Sequence, residues 1–173
     1  RLLIVDVDQS HGIAEFVPTM FCDLVNNGSK DVLAHFLNQN GVHTLCVLVK
    51  NPLEVEKAML CLATLFKRVG DNAKQKTLLE DQLVTGKSPL YESIFLDAIR
   101  SSMDTQQTFG KVLGAINTVI EISARLNGLL SKPTYKLVAL LKQVLVASDT
   151  LLDNRISILR VFVTLTSGKG GRP

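Results

Sequence analysis

Between Leu53 and Phe66 the apolar side chains Val55, Ala58, Met59, Leu62, Ala63 and Phe66 return at three- and four-residue steps, which gathers them on one side of an α-helix. The start of that helix is signalled by Asn51 as N-cap, Pro52 at the first helical position and Glu54 three residues after the cap. The same grammar recurs at Asp104, with Gln107 three residues on, followed by Phe109, Val112, Leu113, Ile116, Val119 and Ile120. A third instance opens at Asp149 or Thr150 and predicts a one-sided stripe through Leu152, Ile156, Leu159 and Val163. Each long stripe follows another amphipathic segment: Val42, Leu45, Cys46 and Val49; then Tyr91, Ile94, Phe95, Ala98 and Ile99; then Leu137, Leu140, Leu141, Val144 and Leu145.

The repeating unit is therefore helix, short polar turn, helix. Shorter helices are expected in the intervals, around Lys30 to Leu37 and Lys74 to Leu83. Turns are expected where Gly, Pro, Asn and Ser cluster, at Asn26–Ser29, Asn38–Gly41, Thr85–Pro89 and Asn127–Pro133. Residues 2–7 alternate apolar and acidic only briefly, and fit a strand, a frayed helix remnant or an ordered tail alike. The fold class is all-α.

A helical unit of roughly 40 to 47 residues is the size at which each repeat buries its apolar face only by stacking on neighbours. The stretch NQNGVHTLCVLVKNPLEVEKAMLCLATLFK, Asn38 to Lys67, resembles an armadillo junction: a small-residue turn, a third helix, a tight polar break and the amphipathic second helix of the next repeat. SPLYESIFLDAIRSSMDTQQTFGKVLGAINTVIE and KPTYKLVALLKQVLVASDTLLDNRISILRVFVTL echo it, so that the resemblance covers most of residues 30–166. It implies a right-handed α-solenoid of about three armadillo-like repeats, forming one domain over residues 1–173. The opening at Arg1 and the polar run 167–173 read as a fragment of a longer chain ending in a flexible tail. Armadillo proteins of the importin and catenin type hold peptides on an Asn and Trp ladder along the third helices. Here Trp is absent and Val42–Lys50, Pro89–Ser102 and Pro133–Ser148 contain no Asn, so the resemblance implies a scaffold role without that ladder.

Composition agrees with helices packed on helices. Apolar residues make up 46% of 173 while aromatics are only 5%, so the core must be built from Leu, Val, Ile and Ala. Few rings also argue against a nucleic-acid stacking platform. Residues 1–86 carry 8 Lys and Arg against 10 Asp and Glu, and residues 87–173 carry 11 against 6, which leaves the C-terminal half mildly basic. Cys22, Cys46 and Cys61 are odd in number, widely spaced and set in apolar helical patterns, as reduced thiols of an intracellular protein are; a cytoplasmic location is expected, with the nucleus also open. No membrane span is expected, since the apolar run Val112 to Ile120 is far shorter than the roughly 20 residues that cross a bilayer.

The residue types that carry chemistry do not assemble. Thr85-Gly86-Lys87-Ser88 has the end of a phosphate-binding loop, but Asp81 stands where the first glycine of that motif belongs. His35, His43, Cys22, Cys46 and Cys61 offer one helical pair, His43 and Cys46, and structural zinc needs two pairs. Asp8, Ser10 and His11 lie together in sequence without a nucleophile, base and orienter arrangement. Glu54 and Glu56, two residues apart, point in different directions from a helix, and Glu54 reads as a capping group. Asn27-Gly28-Ser29 fits a glycosylation acceptor that matters only in a secretory compartment. Lys67, Arg68, Lys74 and Lys76, and again Lys132, Lys136 and Lys142, form small basic groups that could touch an anion but fall short of the broad stripe that nucleic-acid binding requires. No catalytic residue, metal or cofactor is expected.

The expected function is an interaction scaffold or adaptor that holds a partner peptide or helix. The candidate row is Tyr135, Lys136, Lys142 and Gln143, with Arg100 and Glu92 on the preceding matched segment. Tyr and Arg carry much interface energy, and the excess of Lys predicts acidic groups on the partner. The alternative is a regulatory or oligomerisation domain of a larger protein, such as the armadillo-like N-terminal regions of formins, with a homodimer among its outcomes. An anion- or nucleic-acid-binding module stands third.

Overall fold

The structure is a computed structural model and describes residues 16–39, 41–85, 89–132, 135–147 and 149–167. Outside these lie residues 2–7, the Asp8, Ser10 and His11 group, Gly86 to Ser88 and the tail after Ser167. The described residues form helices and turns, in order α1 (Phe16–Asn27), α2 (Lys30–Asn38), α3 (Gly41–Leu48), α4 (Val55–Val69), α5 (Ala73–Val84), α6 (Tyr91–Ser102), α7 (Gln106–Ile122), α8 (Ala124–Leu130), α9 (Leu137–Val146) and α10 (Leu152–Ser167). The chain is all-α across them, as its periodicity predicts.

The long helices pack in steps of three, and two-step neighbours such as α4 and α6 or α8 and α10 also touch. Helix α1 packs on α4, α4 on α7 and α7 on α10; α2 packs on α5 and α5 on α8; α6 packs on α9. Because α4 and α7 each lie between two long neighbours, they bury residues on more than one side. In α4 these are Val55, Ala58, Met59, Cys61, Leu62, Ala63, Leu65, Phe66 and Val69. Helix α10 has one long neighbour and buries only Asn154, Ile158, Val161 and Leu165.

Hydrogen bonds also tie helices that lie two or three places apart in the chain order. Arg68 donates to the carbonyls of Val25 (2.5 Å) and Gly28 (2.7 Å), 43 and 40 residues back. Lys76 donates to the Ile122 carbonyl at 2.8 Å, 46 residues on, and Gln82 donates to the Leu37 carbonyl, 45 residues back. These side chains satisfy carbonyls left open where α1, α2 and α7 end. Lys111 Nζ meets Glu56 at 2.6 Å across α4 and α7. Asn154 Nδ2 donates to the Gln106 carbonyl at 3.0 Å, and the Thr164 hydroxyl donates to Asn117 Oδ1 at 2.6 Å, both across α7 and α10.

Two of the three predicted stripes are buried throughout, and the third is corrected. Along α10 the side chains Leu152, Ile156, Leu159 and Val163 are 71%, 39%, 49% and 64% exposed. The helix is apolar on two sides, and polar bonding decides which turns inward: Asn154 and Thr164 reach α7, while Asn127 of α8 donates to the Thr164 carbonyl at 3.0 Å. A buried amide or hydroxyl left unbonded costs more than an exposed leucine.

Helix starts are also shifted. Helix α4 begins at Val55, and the Asn51 carboxamide instead accepts from the Leu53 N–H at 3.0 Å within the preceding turn. Glu54, buried at the cap position, makes no side-chain cap bond; its carboxylate lies 3.9 Å from Lys57. Helix α7 begins at Gln106 rather than beside Asp104. Before α10 the Thr150 hydroxyl turns back to the Val144 carbonyl at 2.6 Å and closes α9. The turn expected over Asn127–Pro133 is for the most part a helix, α8, because Ser123 accepts from the Leu126 N–H at 3.1 Å and starts it.

Candidate functional site

The candidate partner-binding residues fall on two neighbouring helices, α6 and α9, which pack against each other. Arg100, near the end of α6, is exposed and lies 3.9 Å from Asp97 one turn earlier. Glu92 is in the first turn of α6, and its side chain is outside the described residues. Lys136 is the residue before α9, and Lys142 and Gln143 lie within it; all three are exposed. Lys136, Ala139, Gln143 and Val146 recur at three- and four-residue steps and are all exposed, so α9 presents a continuous outer strip of mixed polarity.

Tyr135 is engaged within the chain. Its ring is half-buried, tilted against that of Tyr91 with centroids 5.9 Å apart, and its hydroxyl donates to the Tyr91 carbonyl at 2.7 Å. It holds the entry to α9 on the start of α6. The strip open to a partner is thus Lys136, Lys142 and Gln143 with Arg100 beyond it.

The earlier basic group is partly consumed by the fold. Arg68 and Lys76 are directed at backbone carbonyls, while Lys67 and Lys74 remain exposed. Glu54 and Glu56 diverge as their spacing requires, Glu54 inward and Glu56 to Lys111 and the Thr108 hydroxyl at 3.3 Å. A buried polar link that the sequence does not signal ties α5 to the junction of α7 and α8: the Ser123 hydroxyl donates to Glu80 Oε1 at 2.6 Å with both residues buried.

The three thiols are free and differ sharply. Cys22 of α1 is half-exposed, while Cys46 of α3 and Cys61 of α4 are buried. The Cys22 thiol donates to the Lys57 carbonyl at 3.4 Å, and interaction with Cys61 holds Cys22 below the ordinary thiol value while that interaction and burial push Cys61 well above it. Burial pushes Cys46 up to about 12. Since the thiolate is the nucleophile, a maleimide or iodoacetamide pulse on the native protein is expected to label Cys22 first, starting at a lower pH than an ordinary cysteine needs. Mass spectrometry after the pulse checks this, and labelling of Cys46 or Cys61 as fast as Cys22 would contradict it. Among the described residues, no three His, Cys, Asp or Glu side chains converge as a metal site, and no helix is long and apolar enough to cross a membrane.

No family model, curated protein or solved structure matches the chain.

Proposed function

We propose that this chain is a protein-interaction scaffold, an armadillo-like right-handed solenoid that holds a partner peptide or helix on the outer strip of α6 and α9, and that it is a binding domain rather than an enzyme. The observation that carries the reading is the step of three in the packing of the long helices, with helix-to-helix hydrogen bonds at separations of 37 to 55 residues along the chain. A stack built this way spends its core on neighbour contacts and leaves one exposed strip per repeat in line with the next, which suits extended partners. Lys136 and Lys142 give the strip a positive character, and acidic groups on the partner would complement it. A cytoplasmic or nuclear setting fits the three unpaired thiols.

The test leaves Tyr135 in place, because its hydroxyl serves the fold. Immobilised wild type and a Lys136→Glu, Lys142→Glu, Gln143→Ala variant, shown to melt alike, are incubated with cell extract. The variant is expected to lose at least one protein that the wild type retains. If it captures the same set in the same amounts, the strip on α9 is not the binding surface.

A further inference from the structure

The exposed apolar stripe of α10 has a counterpart inside the fold. On α7 the residues that meet α10 include Gln106, Gly110 and Asn117. The Gln106 carbonyl and side chain both accept from Asn154, and Asn117 accepts from Thr164. A Cβ placed on Gly110 would sit 2.8 Å from Asn154 Oδ1, so backbone and carboxamide are in close contact there. These are the first, fifth and twelfth residues of α7, and the eighth is the fully buried Leu113. The same four places on α10 are Leu152, Ile156, Leu159 and Val163, all exposed, whereas on α4 they are Val55, Met59, Leu62 and Phe66, all wholly buried. Helix α10 therefore carries a stacking face in the register the fold uses elsewhere, and with more apolar character than the face α7 offers.

We propose that this face docks on the same face of a second copy of the chain, with the two α10 helices antiparallel about a two-fold axis. Charge placement selects that occupant. Asp153 and Arg160 lie seven residues apart on one edge of the stripe, and both are exposed. An axis passing midway between Ile156 and Leu159 sets each Ile156 beside the other chain's Leu159 and each Leu152 beside the other chain's Val163. It also brings each Asp153 to within about 3 Å, along the helix, of the other chain's Arg160, at a rise of about 1.5 Å per residue. Among the described residues neither forms an ion pair within its own chain. A two-fold axis repeats every such contact and closes the assembly.

Stacking of α10 on α1 of another copy fits less well. The outer groove of α1 is lined by Thr19, Met20, Asp23, Leu24, Asn27 and Gly28, and an apolar stripe laid there would cover the polar groups of Thr19, Asp23 and Asn27 without bonding them. Such a head-to-tail contact also propagates without closing.

The experiment is size-exclusion chromatography with light scattering at roughly 100 µM, a concentration suited to a small apolar interface. The wild-type mass is expected at twice the 18.9 kDa of one chain. Leu159→Glu, with unchanged circular dichroism and melting, is expected at the mass of one chain. Asp153→Arg and Arg160→Asp are each expected to raise the dimer Kd by about tenfold, since the symmetry doubles every repulsive contact, and the double exchange restores it. A monomeric wild type, a dimer that survives Leu159→Glu, or a double exchange no tighter than the single ones would overturn the proposal. None of these residues belongs to the α6 and α9 strip, so the two readings stand or fall separately.

Discussion

Replacing Phe66 with alanine is expected to lower the stability of the chain by about 3–5 kcal/mol, the range for removing a large buried aromatic from a core that closes only partly around the space left. Phe66 is wholly buried in α4, the helix held between α1 and α7. Its loss opens a void in the core around that helix. Denaturant unfolding followed by circular dichroism gives the value, and the midpoint is expected to fall while the helical signal of the folded state stays unchanged. An effect under about 1 kcal/mol would mean that α4 is not enclosed on both sides.

Ser123→Ala ranks second, at about 2–4 kcal/mol. Ser123 performs two tasks with one hydroxyl: it accepts from the Leu126 N–H and so starts α8, and it donates to Glu80 of α5. Loss of an N-cap costs about 0.5–2 kcal/mol and loss of a hydrogen bond to a charged group about 1.5–3 kcal/mol. The second part is specific to Glu80. In a cycle of Ser123→Ala, Glu80→Ala and the pair, the double variant is expected to be less damaged than the two single variants added together. Strict additivity would show that the two side chains do not interact, and the cap alone would then account for the loss.

What the sequence made legible follows from where polar and apolar signals agree. In α4 and α7 the apolar residues sit on a periodic stripe and every residue of that stripe is buried, from Val55 to Phe66 and from Phe109 to Ile120, with Cys61, Leu65 and Ala115 buried beside it. In α10 they do not agree, because Ile156 and Leu159 compete with Ile158, Val161 and Leu165 for the inner side. The decision is made by Asn154 and Thr164, whose partners Gln106 and Asn117 lie 48 and 47 residues away. No local pattern contains that information. Helix α8 was hidden for a related reason. Asn127 and Gly128 read as turn formers, yet Ser123 caps the helix and Asn127 is buried with its amide bonded to α10.

The candidate strip was legible as far as exposure goes, since Lys136, Lys142, Gln143 and Arg100 all face solvent. The role of Tyr135 was not. Its residue type suits an interface anchor, but its hydroxyl finds the Tyr91 carbonyl 44 residues back, one step along the stack. The same holds for Arg68 and Lys76, whose charges run in the sequence while the carbonyls they serve lie 40 to 46 residues away.

If the long helices stack in steps of three, α1 and α10 stay apart. Methyl-to-methyl nuclear Overhauser spectroscopy on protein labelled at Ile, Leu and Val tests it most directly, because the core is built from those residues. Cross-peaks are expected between methyls of α1 and α4, of α4 and α7, and of α7 and α10, with none joining Val25 of α1 to Ile158 or Leu165 of α10. At about 8–10 Å per packed helix pair the outer two lie roughly 25–30 Å apart, far beyond the range of the effect. A Val25 to Ile158 cross-peak would show a closed bundle and contradict the stacked arrangement.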